Sequence, residues 1–116
     1  MIAVIFEVMP IAEKANEYFD IATELKPRLA KIDGFISIER FESITTKGKF
    51  LSLSFWRDED AIRAWRNIEE HREAQTIGRN SIFTEYRIRV ASVVRDYGLN
   101  ERTDAPQDSC IAHSEM

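Results

Sequence analysis

The chain has 116 residues, 44% of them hydrophobic and 31% charged, with a formal net charge of −4. That length fits one domain with a real core, and the acidic balance excludes the electrostatic footprint of a nucleic-acid or anionic-membrane binder. One cysteine, Cys110, excludes an intrachain disulfide, and no apolar run approaches the ~18 residues that span a bilayer.

Residues 2 to 9 are β-branched and aromatic on both parities, with Glu7 the one charge. That pattern predicts a central strand covered on both sides. It opens the chain without the basic start of a signal peptide, and the expectation is a cytoplasmic protein. Pro10 stops the strand and pre-sets a helix. Ile11, Ala15, Tyr18, Ala22, Leu25 and Leu29 then follow a helical repeat to about Ala30. Pro27 falls inside it and predicts a kink or break near Lys26. Asp33-Gly34 is a turn.

Phe35 to Ile44 reads as a strand, with Phe35, Ser37, Glu39 and Phe41 on one face and Ile36, Ile38, Arg40 and Glu42 on the other. Residues 45 to 49 form a hairpin loop with Gly48 suited to positive φ, and Phe50 to Trp56 returns. Asp58 is an N-cap candidate, followed by Glu59 and Asp60 in a first turn that favours negative charge. Ala61, Ala64, Trp65, Ile68, His71 and Gln75 recur as one stripe, apolar at its start and polar at its end, and Gly78 is the expected stop. A loop at Arg79-Asn80-Ser81 leads to a long strand from Ile82 to about Asp96. Its odd positions carry Glu85, Arg87 and Arg89, and its even positions carry Tyr86, Ile88 and Val90. Residues 98 to 116 lose all periodicity and read as a flexible polar tail behind a domain of residues 1 to 97. Cys110 and His113 within it are too few ligands for a metal site.

The order β-α-β-β-α-β defines an α+β, ferredoxin-like fold, a four-stranded antiparallel sheet with two helices on one face. The other face has no helix, yet its strands are apolar. Either Ile2, Val4, Phe6, Val8, Phe50, Ile88 and Val90 occupy it, or the opposite parity with Ile5 and Leu53. A bare apolar face predicts a homodimer through the sheet.

Several segments together resemble the antibiotic biosynthesis monooxygenase domain family, closest to its small bacterial members. They are Trp56-Arg-Asp-Glu-Asp-Ala, Ala64-Trp65, His71-Arg-Glu-Ala-Gln75, Gly78-Arg79, Gly34 to Phe41 and Tyr86 to Tyr97. The resemblance covers about residues 1 to 97 and implies a dimeric α/β barrel. The family's chemistry is mixed: some members oxidise polyaromatic phenols with dioxygen and no cofactor, and others degrade haem. The haem degraders carry a histidine ten residues after the helix tryptophan and an asparagine in the first strand. Here Trp65 plus ten is Gln75, His71 stands six on, and residues 2 to 9 contain no asparagine, so haem is not the expected cofactor.

The resemblance and the polar end of the stripe imply a small monooxygenase acting on a flat aromatic or quinol-type molecule without a cofactor. His71 is the candidate base, with an ordinary pKa of about 6.5; otherwise it packs at a helix–sheet or dimer boundary. Arg87 or Arg89 would hold the resulting anion, or pair in a ladder with Glu39 or Glu7. Trp65, Gln75 and Tyr86 are the candidate substrate contacts, with core or interface packing as the plainer role for Trp65 and Tyr86. The alternative function is a non-enzymatic ligand-binding or stress-related module on the same fold. No Gly-rich phosphate loop, serine triad or metal cluster is present.

Overall fold

The structure, a computed structural model, describes residues 1–76 and 83–109, with side chains described over 1–68 and 83–109. The elements are β1 (Ile2–Pro10), a single 3-10 turn (Ala12–Lys14), α1 (Ala15–Leu29), β2 (Phe35–Glu42), β3 (Phe50–Trp56), α2 (Glu59–Thr76) and β4 (Phe83–Ser92). The strands form one antiparallel sheet in the order β2-β3-β1-β4, which is the ferredoxin-like arrangement expected from the sequence.

Cross-strand partners show which side chains share a face. Val4 stands opposite Ser54 and Val90, and Phe6 opposite Ser52 and Ile88. Antiparallel partners point the same way, so these residues occupy one face, which the helices cover over β1, β2 and β3 but not over β4, where Ile88 and Val90 stay about half exposed. There Val4, Leu29, Trp56, Ala61 and Ile62 form a buried cluster, with Phe35, Ile38 and Trp65 packed against it. Ile5, Leu51, Leu53 and Phe55 point to the other face, where no described helix lies. The bare face is therefore the Ile5 and Leu53 parity, and the Val4 and Phe6 parity belongs to the core.

The element ends differ from expectation where pairing partners run out. β4 stops at Ser92 rather than Asp96, because β1 begins opposite it at Ile2. One last rung, Val93 N–H to the Met1 carbonyl at 3.0 Å, closes the ladder. β2 stops at Glu42 rather than Ile44, because β3 begins opposite it at Phe50, and Ile44 stands free in solvent. α1 runs through Pro27 to Leu29, so Pro27 makes no break. The buried stripe of α2 starts at Ala61 and Ile62, whereas Ala64 is exposed. Gly78 and the loop at 79–81 lie outside the described residues, as do Cys110 and His113.

The register of β2 also corrects the simple alternation. Phe35 pairs with Trp56, but Ser37 pairs with Phe55, so Ile36 is an extra residue in a bulge. Phe35, Ile38 and Arg40 consequently share the helix face. Ser37, Glu39 and Phe41 share the bare one.

Candidate functional site

A cavity of about 100 Å³ lies between α1 and the helix face of the sheet. For scale, an apolar cavity of about 150 Å³ takes up benzene. Its α1 wall is Tyr18, Ile21, Ala22 and Leu25; α2 contributes Trp65. The sheet supplies Val4 and Phe6, together with three polar side chains, Arg40, Ser52 and Ser54. Sequence explains each wall. α1 turns its helical repeat inward, burying Tyr18, Ala22 and Leu29, and the small Ala22 leaves room where a larger residue would fill it. β3 reads Leu51-Ser-Leu-Ser-Phe55 with the serines inward, the reverse of the usual polarity of a half-covered strand.

The polar groups are unevenly satisfied. Trp56 Nε1–H donates to Ser54 Oγ at 2.9 Å inside the core. Two other buried donors, Arg40 Nε and Trp65 Nε1, have no partner among the described residues. A buried donor left unmade costs about 1–3 kcal/mol, more when it is charged. Both residues line the same cavity. The indole of Trp65 lies 5.9 Å from that of Trp56, centroid to centroid, tilted by 40°.

An ionic clasp outside the cavity sets the start of α2 and hence Trp65. Arg57 donates to both carboxylate oxygens of Asp33, at 3.2 and 3.0 Å, and to Asp58 Oδ2 at 3.0 Å. Its backbone N–H donates to the Gly34 carbonyl at 2.7 Å. Asp58 caps the helix as expected, accepting the Ala61 N–H at 3.0 Å. That hydrogen bond, then Arg57, holds the Asp58 carboxyl below the usual carboxylate range, and Arg57 does the same to Asp33. The two carboxylates raise the already high pKa of the guanidinium.

The candidate residues divide between the two faces. Trp65 lines the cavity. Tyr86 lies on the same face beyond it, its ring 5.8 Å from that of Phe6 and 6.1 Å from that of Phe83, both of which line the cavity. Arg87 and Arg89 sit on the bare face, opposite Glu7 and Ile5. Arg89 Nη1 donates to Glu7 Oε2 at 3.1 Å, the ion pair expected of the ladder. The sheet therefore separates both arginines from Trp65. His71 and Gln75 fall on α2, but their side chains lie outside those described. Arg40, Ser52 and Ser54 escaped the sequence reading. The inward serines of β3 were a usable signal. Arg40 was not, because its face depends on the bulge at Ile36.

The architecture is a ferredoxin-like sheet roofed by helices, with a part-polar cavity between them. The chain belongs to the antibiotic biosynthesis monooxygenase family, whose sequence pattern matches residues 1–77. It is 44% identical over 101 residues to the jasmonate monooxygenase ABM of Pyricularia oryzae, covering 87% of this chain and 47% of that protein. The chain thus spans about half the length of that relative. Solved structures that share the fold include the following two. A Deinococcus radiodurans protein described by the same family name matches with a TM-score of 0.71 at 15% identity, covering 85% of this chain and 98% of its own. The Mycobacterium tuberculosis haem degrader MhuD, with two haems bound, matches with a TM-score of 0.63 at 17% identity, covering 84% and 100%.

Proposed function

We propose that the protein is a monooxygenase whose small, mainly apolar substrate occupies the cavity beside Trp65. The observation that carries this reading is the pair of buried donors, Arg40 Nε and Trp65 Nε1, that have no partner among the described residues and line an otherwise largely apolar space. Donors with nothing to bind are costly in a core and useful in a binding site. Family membership and the Pyricularia relative supply the reaction class.

The substrate is an oxidisable molecule of the phenol, quinol or anthrone kind, or an apolar keto acid such as a jasmonate; the larger of these exceed the ~100 Å³ beside Trp65, so one end occupies that space and the rest extends through its open side. For an anthrone-type methylene the balance needs no external reductant. The carbon gains one oxygen atom as a carbonyl, and the other leaves as water with the two hydrogens. Proton removal first yields an electron-rich anion, which reacts with dioxygen directly, so this oxidation runs without a cofactor; hydroxylating a saturated C–H of a jasmonate would instead need a two-electron donor, such as a reduced flavin or nicotinamide, to carry the second oxygen atom to water. His71, on α2 with Trp65, is the proposed base. The bare sheet face is assigned to a second copy of the chain, giving a homodimer. Its support is the apolar set Ile5, Leu51, Leu53 and Phe55, which no described helix covers.

Oxygen uptake with a panel of phenols, quinols, anthrones and jasmonic acid tests the reading, with haemin as a comparison ligand followed by its Soret band. Substrate-dependent uptake is expected, reduced at least tenfold by filling the cavity with Ala22→Leu and by His71→Ala. Uptake unchanged in the filled variant would move the site elsewhere. Binding without uptake of oxygen would favour a ligand-binding module.

A further inference from the structure

We propose that Arg40 is the anion anchor of the cavity, and that the ligand it selects is a small apolar carboxylate. This rests on the reading that the cavity is the substrate site.

Arg40 reaches this face because the bulge at Ile36 shifts the parity of β2, setting it opposite Ser52. Its Nε is buried without a hydrogen-bond partner among the described residues. The described cavity lining contains no carboxylate, and the ion pairs of Arg57, Arg63 and Arg89 leave Arg40 out. A guanidinium held at the edge of an apolar cavity without a counter-ion is expensive unless an anion arrives with the ligand. Its planar fork matches a carboxylate, which accepts two parallel N–H bonds. Trp65 Nε1–H is a further donor without a partner among the described residues on the same cavity, and the buried Ser52 hydroxyl stands across the strand. Val4, Phe6, Ala22 and Leu25 would take the hydrocarbon body.

The chain's two tryptophans, Trp56 and Trp65, both line the cavity and report binding without a label. Tryptophan fluorescence is titrated with 3-phenylpropionic acid and jasmonic acid, each beside its methyl ester, at neutral pH. Each acid is expected to bind at least tenfold tighter than its ester, the scale of one charge-assisted hydrogen bond. Arg40→Gln should weaken the acids at least tenfold, leave the esters unchanged, and so erase the preference. Arg40→Lys, which keeps the charge and loses the fork, should recover part of it. Acid and ester binding equally to the wild-type protein would overturn the anchor while leaving the cavity reading intact, and needs no variant to fold. A preference that survives Arg40→Gln would also overturn it. No fluorescence change with any probe would overturn both.

Discussion

Gly34 shows how one residue sets the distance between elements. Its φ is +93°, and an added Cβ would lie 2.8 Å from the Ala61 Cβ and 3.3 Å from the Arg57 guanidinium. The turn before β2 and the first turn of α2 pack through that gap. Gly34→Ala is expected to lower the unfolding free energy by about 2–4 kcal/mol, summing backbone strain and overpacking. Urea denaturation measures it, and a loss below about 1 kcal/mol would mean the helix start yields freely. Asp58 allows a test by pH. Its carboxyl is lowered in the folded state, first by the Ala61 N–H and then by Arg57. A depressed carboxylate stabilises above its unfolded pKa, and that contribution fades as pH falls through the folded value. Asp58→Asn keeps a cap acceptor without the charge. The wild type should therefore exceed Asp58→Asn in urea midpoint at pH 6, and the gap should close below about pH 4, near the ordinary aspartate pKa. A constant gap would exclude Asp58 ionisation as its source.

At the scale of elements, β2 and α1 both depart from the regular pattern. The bulge at Ile36 sends Ile38 and Arg40 into the cavity and Phe41 to the bare face. Regular alternation from Phe35 would do the opposite, because each one-residue shift exchanges the faces of a strand. α1 meanwhile keeps Pro27 inside its last turns, at an exposed position. An interior proline removes one helical hydrogen bond and crowds the carbonyl four residues before it, a cost of about 3 kcal/mol or more. Part is offset because proline restricts the unfolded chain. Pro27→Ala is thus expected to raise stability by about 1–2 kcal/mol, read as a higher urea midpoint with an unchanged slope. A lower midpoint would show that the helix needs the proline to seat Leu29, whose side chain is fully buried.

For the whole molecule, the sheet has one face roofed by helices and one that no described helix covers. Ile5 stands opposite Leu53 at the middle of the bare face, with the Glu7–Arg89 ion pair close by. A stable interface buries about 800 Å² per partner, of which the apolar part contributes roughly 25 cal/mol per Å² before the cost of association. Leu53→Asp would put one charge on each side of a two-fold contact, so repulsion and desolvation act together. Sedimentation of the wild type at micromolar concentration is expected to give twice the 13.5 kDa chain mass, and Leu53→Asp a folded monomer. A wild-type monomer would leave the bare face to another occupant, and a dimer that survives Leu53→Asp would move the contact elsewhere. No helix among the described residues is long and apolar enough to cross a membrane.

Sequence alone determined the order of elements, the capping of α2 by Asp58 and the positive φ of Gly48, which the structure shows at +82°. These depend on neighbours within a few positions, where hydrophobic period, caps and turn residues act directly. The family was also legible, because its segments are local strings. Tertiary structure alone decided which parity of the sheet faces the helices, since β1 is apolar on both and its pattern fits either choice. It decided where β4 ends, because a strand lasts only as long as its partner. It also divided the candidate site. Alternation already sets Arg87 and Arg89 opposite Tyr86, but only the register shows that the arginines take the side away from the helices, while Arg40 enters the cavity through a bulge that no local pattern announces. A cavity is the space left between elements distant in sequence, so its polar lining follows from register and packing rather than from any one segment.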